Sequence, residues 1–80
     1  MRVFVAKWKW PDEEMQISVH HAETGAINSL AEEVEEFTGN DMFCFDAQEY
    51  NDLLAGVHVN YEDSEQGTLW ISMQVTEVMS

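Results

Sequence analysis

Residues 23–39, ETGAINSLAEEVEEFTG, decide the fold class, because here the hydrophobic pattern takes the period of an α-helix. The large apolar residues recur at three- and four-residue steps and form one stripe: Ile27, Leu30, Val34 and Phe37. Gly39 stands where a left-handed residue commonly ends a helix. Candidate caps for the first turn are Thr24, Asn28 and Ser29, and Glu32 follows Ser29 at capping-box spacing. We predict one main helix that packs through this stripe.

The segments before the helix alternate apolar and polar residues, which predicts a β-hairpin. Residues 2–9 place Phe4, Ala6 and Trp8 on one face of a strand and two lysines on the other. A polar turn at 11–14 leads into a second strand. Its apolar residues are expected to point inward: Met15, Ile17 and Val19.

The segments after the helix predict three more strands and a short helix. Residues 41–45, DMFCF, are a short apolar run that we interpret as a buried strand. Residues 46–56 predict a short helix that Asp46 and Glu49 begin as a capping box and Gly56 ends.

The last two predicted strands span 57–61 and 68–78. The resulting order is β-β-α-β-(α)-β-β. It predicts a single α+β domain over 1–80, with a mostly antiparallel sheet of about five strands, one main helix and one short helix.

The charge of the chain is strongly unbalanced. Sixteen Asp and Glu oppose three basic side chains, which gives a formal net charge of −13, and no basic residue follows Lys9. A small soluble domain usually carries a net charge of about 2–8 in magnitude. Salt bridges therefore cannot neutralise most of these acids, and their mutual repulsion opposes folding. We infer that a partner outside the fold accounts for them.

The acids lie away from the apolar stripes. Glu32 and Glu36 are an i,i+4 pair about 6 Å apart along a helix axis, and two such charges repel by roughly 0.7 kcal/mol in water. No Lys stands four residues away to relieve them. We expect like-charged neighbours to raise the pKa of such carboxyl groups in the folded state. The predicted partner-binding residues are Glu32, Glu33, Glu35, Glu36, Asp46, Glu49, Asp52, Glu62, Asp63 and Glu65.

A rigid surface of carboxylates can occupy a basic groove that otherwise receives a nucleic acid. Duplex DNA presents one negative charge per ~1.7 Å of axis, and proteins that bind DNA contact these charges with Lys and Arg. The sequence therefore predicts a non-enzymatic inhibitor that blocks a basic nucleic-acid-binding protein by charge mimicry. Direct binding of DNA or RNA is disfavoured, because the electrostatic term has the wrong sign.

Two alternatives stay open. The chain could be an acidic interaction module or small subunit that binds a basic partner without mimicking nucleic acid. It could also reflect adaptation to high salt, which implies no partner.

Two stretches resemble acidic inhibitors encoded by phages and mobile elements. Residues 30–40, LAEEVEEFTGN, resemble the helix of the uracil-DNA glycosylase inhibitor, which implies that Glu33 and Glu36 contact a target. RVFVA at 2–6 and FDAQEY at 45–50 resemble the beginning of ArdA-type antirestriction proteins. In size, charge and α+β character the chain is also similar to small anti-CRISPR proteins. These resemblances imply a CRISPR effector complex, a restriction enzyme or a DNA-repair enzyme as target, and favour an anti-CRISPR role.

Other chemistry finds little support in the sequence. His20 and His21 are adjacent on a predicted strand and point to opposite faces, so we expect no metal site and no cofactor. We find no paired catalytic acid and base and expect no enzymatic activity. Cys44 lies between Phe43 and Phe45, which predicts a buried, inert thiol.

The tryptophans leave two interpretations open. Trp70 falls on the strand face opposite Leu69 and Ile71, whereas Trp8 and Trp10 flank a lysine and a turn. Either the sheet is covered on both faces, by helices or by a second copy in a homodimer, or tryptophans are exposed anchors of an interface.

Hydropathy bears on the compartment. No apolar run approaches the ~18 residues of a membrane span, and the first ten residues lack the apolar core of a signal peptide. With one cysteine, we expect a cytoplasmic protein, in the host cell if phage-encoded, that does not bind membranes.

Overall fold

The hairpin predicted at the start of the chain is present in the computed structural model, which describes residues 1–78. Strands β1 (Arg2–Lys9) and β2 (Gln16–His20) pair antiparallel. Pro11 stands in the turn between them, where its missing N–H costs no ladder hydrogen bond. Asp12 follows with a φ of 63°, a left-handed conformation that Asp tolerates better than most residues.

The main helix, α1 (Glu23–Thr38), begins earlier than the cap signals indicated. Its N-cap is Ala22, which makes no side-chain capping hydrogen bond. The predicted caps Thr24, Asn28 and Ser29 are wrong, because all three lie inside the helix. Gly39 is confirmed as the C-cap: its φ of 73° is left-handed, and its N–H donates to the Glu35 carbonyl at 2.8 Å.

The second helix, α2 (Ala47–Leu54), starts with the predicted capping box. The Glu49 N–H donates to Asp46 Oδ1 at 2.8 Å, and the Asp46 N–H donates to Glu49 Oε1 at 3.1 Å. Strands β3 (Val59–Asp63) and β4 (Gly67–Glu77) follow. The sheet order is β2-β1-β4-β3, and every neighbouring pair is antiparallel.

The fifth strand predicted at 41–45 is wrong, so within residues 1–78 the sheet has four strands and the element order is β-β-α-α-β-β. The run buries its aromatic rings against other rings and not in a ladder. Phe43 and Phe45 meet edge to face at 5.0 Å, and Phe43 meets Tyr61 in the same way at 5.8 Å. Cys44, between them, is exposed, which corrects the prediction of a buried thiol.

Strand β2 faces the opposite way from the prediction. Ile17 and Val19 are 54% and 61% exposed, and Met15, just before the strand, is 45% exposed. The register explains this result: Ile17 lies opposite Lys7, and Ser18 lies opposite Ala6 on the helix side. Ser18 Oγ is 2.7 Å from His20 Nε2 and 3.4 Å from Ser29 Oγ of α1, so polar residues of β2 face α1.

The core lies between the helices and one face of the sheet. It consists of Ala6, Ala26, Leu30, Val34, Phe37, Leu53, Leu69, Ile71 and Met73. Trp8 and Trp10 pack against this core, whereas Trp70 lies on the other face and stacks on His58 with centroids 4.9 Å apart. The described helices therefore cover only one face of the sheet, and Trp70 lies on the face that they leave open. No helix within residues 1–78 is long and apolar enough to cross a membrane.

Truncating one buried and one exposed side chain tests this arrangement. Leu30→Ala removes a fully buried side chain and is expected to lower the free energy of unfolding by about 2–5 kcal/mol. Ile17→Ala is expected to cost less than about 1 kcal/mol, because that side chain is largely exposed. Urea denaturation followed by circular dichroism measures both. Equal losses would contradict the described orientation of β2.

Candidate partner-binding surface

The four glutamates predicted on the main helix lie together on its outer side. The inner stripe of α1 is buried, at Ala26, Leu30, Val34 and Phe37. Glu32 and Glu36 are exposed, while Glu33 and Glu35 are half-buried on the two flanks of the helix. The structure therefore brings together the first four predicted partner-binding residues, which we call the α1 quartet: Glu32, Glu33, Glu35 and Glu36.

Little positive charge lies near the acids. Across residues 1–78 there is one ion pair, between Arg2 and Glu77 at 3.1 Å, and both side chains are more than 60% exposed. The Lys7 ammonium donates to Gln74 and the Lys9 ammonium donates to the Trp10 carbonyl, so neither reaches a carboxylate. The α1 quartet has no cationic partner within the described chain.

One member of the quartet shows the cost of this arrangement. Burial raises the pKa of the Glu33 carboxyl above its usual 4.5, and repulsion from Glu36, Glu32 and Glu13 raises the pKa further. A hydrogen bond from the Trp10 side chain opposes the shift. The predicted influence of like-charged neighbours is present at Glu33, although desolvation is the larger cause.

The predicted residues of α2 are engaged in the fold. Asp46 and Glu49 form the capping box, and the Tyr61 hydroxyl donates a hydrogen bond to the second oxygen of Glu49. Burial raises the pKa of Tyr61, and the Glu49 carboxylate raises it further. Asp52 accepts a hydrogen bond from Gln48 at 3.0 Å. Asp46 and Glu49 therefore stabilise local structure and offer less to a partner than α1 does, whereas the bond of Asp52 is exposed.

Of the predicted residues near the β3–β4 turn, Glu62 and Asp63 end strand β3 and Glu65 lies in the turn itself. Asp63 accepts hydrogen bonds from the backbone N–H groups of Glu65 at 2.8 Å and Gln66 at 3.1 Å, which lower its pKa below the usual 3.8. Asp63 therefore stabilises the turn at neutral pH and loses this contribution as the pH falls through its lowered pKa. Glu62 and Glu65 are exposed.

Three acidic segments meet at one end of the domain. Gln66, in the β3–β4 turn, donates to the Phe37 carbonyl of α1 at 2.9 Å. Pro11, in the β1–β2 turn, lies so close to Gly67 that a Cβ there would approach it to 3.1 Å. Because Gly67 also has a φ of 103°, a larger residue is doubly disfavoured. The two turns and the end of α1 therefore share one acidic surface.

This convergence adds a residue that was absent from the predicted set. Glu13 lies in the β1–β2 turn and is near enough to Glu33 to raise the pKa of that carboxyl. The acidic run Asp12–Glu14 was visible in the sequence, but its closeness to α1 depends on the hairpin folding back over the helix.

Aromatic side chains line a groove on each flank of α1. One groove, of about 450 Å³, has Glu32 and Glu35 beside Phe43, Phe45 and Tyr50. The Tyr50 hydroxyl donates to Glu23 at the start of α1, which ties the two helices together. The other groove, of about 500 Å³, is lined by Trp8, Trp10, Glu13, Gln16, Glu33 and Glu36. We call the second one the tryptophan groove.

Comparison with protein-family models, with curated proteins and with solved structures found no match to this chain. Within residues 1–78, no three His, Cys, Asp or Glu side chains are grouped so that they could hold a metal ion.

The raised pKa of Glu33 predicts a pH-dependent stability. Above that pKa the charged carboxylate destabilises the fold, and this penalty disappears as the pH falls through the raised value toward 4.5. Glu33→Gln should therefore raise the melting temperature at pH 7, and the gain should vanish below pH 4.5. Thermal melts across this range measure the effect.

The control for that experiment is Glu14→Gln, which removes the same charge from an exposed residue. If the melting temperatures of both variants rise equally at pH 7, general repulsion and not the environment of Glu33 determines the gain in stability.

The capping box predicts that two acids of α2 differ in their effect on stability. Asp46→Ala removes the acceptor for the Glu49 N–H and should cost about 0.5–2 kcal/mol of unfolding free energy. Asp52→Ala, also on α2, removes only an exposed bond to Gln48 and should change stability by no more than about 0.5 kcal/mol. Chemical denaturation compares the two, and an equal effect would argue against a structural role for Asp46.

Proposed function

We propose that this chain is a non-enzymatic inhibitor that binds a basic nucleic-acid-binding surface and blocks access of DNA or RNA to it. Its targets are host defence or DNA-handling proteins, and an anti-CRISPR role against an effector complex is the form we favour. The observation that carries the proposal is the α1 quartet, which has no cation to neutralise it among residues 1–78.

The spacing of the quartet supports mimicry of a nucleic acid. From Glu32 to Glu36 the helix rises about 6 Å and carries four carboxylates. Over the same distance a DNA duplex, with one charge per ~1.7 Å, carries about three to four. The quartet therefore presents a linear charge density close to that of the ligand it would replace.

The supporting surface extends beyond the helix. Glu65 and Glu13 lie in the two turns that meet the end of α1, as the contacts of Gln66 and Pro11 show. Because α1 packs on the sheet through buried residues, these charges stand on a rigid support. A preorganised surface binds with less ordering cost than a flexible acidic tail.

The second candidate is an acidic interaction module that binds a basic partner without displacing nucleic acid. The open face of the sheet favours it, because Ile17 and Val19 are exposed there beside Lys7. Such a face offers a second contact surface, including one for a homodimer, that a simple mimic does not need.

Competition binding tests the proposal. The chain is titrated into a complex of fluorescent target duplex with a CRISPR effector, and in parallel with a restriction enzyme and a uracil-DNA glycosylase. We expect it to displace duplex from at least one of them, with an affinity that falls steeply as salt is added. Simultaneous binding of chain and duplex would support the interaction module instead. Absence of binding to all three at low salt would refute the inhibitor.

Matched charge variants locate the contact. Glu32→Gln with Glu36→Gln removes two exposed charges from α1, and Asp41→Asn with Glu14→Gln removes two exposed charges outside α1. The first pair should weaken competition by roughly tenfold or more and reduce its salt dependence, whereas the second should have little effect. Neutralising all four glutamates of the quartet should abolish competition while leaving the circular dichroism spectrum unchanged.

A further inference from the structure

The tryptophan groove combines aromatic walls with clustered carboxylates. Trp8 and Trp10 are half-buried, so each leaves part of its indole surface accessible while packing against the core. Trp10 is fixed in place by Phe37, which it meets edge to face with centroids 5.3 Å apart. The groove is therefore a preformed feature of the fold.

Acids from two elements surround this aromatic surface. Glu33 and Glu36 reach it from α1, and Glu13 reaches it from the β1–β2 turn. Among residues 1–78, no basic side chain lines the groove. Its occupant must therefore present a positive charge to the carboxylates and an apolar or π surface to the indoles.

An arginine side chain meets both conditions better than a lysine side chain does. A guanidinium is planar, stacks on aromatic faces and donates paired hydrogen bonds to carboxylates. Tryptophan is the best aromatic partner for such a cation, and the attraction grows when the pair is desolvated. A lysine ammonium is strongly hydrated and lacks a flat face.

We infer that the tryptophan groove is a receptor for an arginine side chain of the partner protein, with the guanidinium stacked on Trp8 or Trp10 and bonded to Glu33 and Glu36. That the arginine comes from a target protein rests on the proposed function. The binding of an arginine side chain in the groove does not depend on it. The raised pKa of Glu33 agrees with it, because a carboxylate that is partly desolvated among like charges gains from an incoming cation.

The test uses a short arginine peptide, acetyl-Gly-Arg-Gly-amide, and two matched peptides. Citrulline keeps the shape of arginine without its charge, and lysine keeps the charge without the planar group. All three are titrated into the Trp70→Phe variant, in which Trp8 and Trp10 are the remaining tryptophans and give the indole NMR signals. The replacement should leave the groove intact, because Trp70 lies on the opposite sheet face and stacks on His58. We expect saturable shifts of these signals with arginine, binding at least several-fold weaker with lysine, and no saturable shift with citrulline.

Two charge variants in the same background locate the binding. Glu33→Gln with Glu36→Gln should weaken arginine binding by roughly tenfold. The charge-matched control, Asp41→Asn with Glu14→Gln, should change it less than about twofold, because neither residue lines the groove. Equal binding of lysine and arginine, or equal losses in both variants, would overturn the inference and leave only a general electrostatic field.

Failure of this experiment is distinguishable from failure of the proposed function. The peptide titration needs no target protein, and the competition assay needs no particular side chain. Displacement of duplex without an arginine response would retain the inhibitor and reject the groove. An arginine response without displacement would retain the groove and reject the inhibitor.

Discussion

The fold depends on burial of one apolar stripe of α1 against the sheet, because charge opposes folding almost everywhere else. Leu30 and Val34 are fully buried between the helix and the strands, next to Ala6 and Ile71. A domain of this size has a small margin of stability, and a net charge of −13 reduces it. The stripe also fixes the direction of the glutamates, since residues opposite a buried helical face must point to solvent.

The carboxylates fall into two chemical groups with different consequences. Asp46, Glu49 and Asp63 accept hydrogen bonds from backbone N–H groups and contribute to helix and turn formation. The α1 quartet makes no ion pair with any described residue and is costly to the free protein. The cations lie elsewhere: Lys7 is on the open sheet face and Arg2 pairs with Glu77 at the far end of β1. The surface is thus polarised between an acidic helical layer and a less acidic sheet face.

Much of the fold followed from local patterns. The predicted caps of α1 were a local error, whereas the other two errors concern contacts between different elements. The hairpin, both helices, the cap at Gly39 and the capping box at Asp46 depend on residues close in sequence. The prediction that Ile17 and Val19 of β2 point inward was wrong, because the alternation of apolar residues does not indicate which face of the strand meets the helix. The strand predicted at 41–45 was also wrong, because Phe43 packs edge to face on Phe45 and Tyr61, which leaves both phenylalanines half-buried without strand pairing.

The sequence alone determined the imbalance of charge, the amphipathic helix and the place of the α1 quartet on its outer side. Composition and helical period suffice for these properties, because they concern residues within a few positions of one another. Only the tertiary structure decided that Glu13 joins Glu33 and Glu36 beside two tryptophans, and that the Tyr61 hydroxyl donates to Glu49. Those contacts link residues twelve or more positions apart, and no local pattern encodes them.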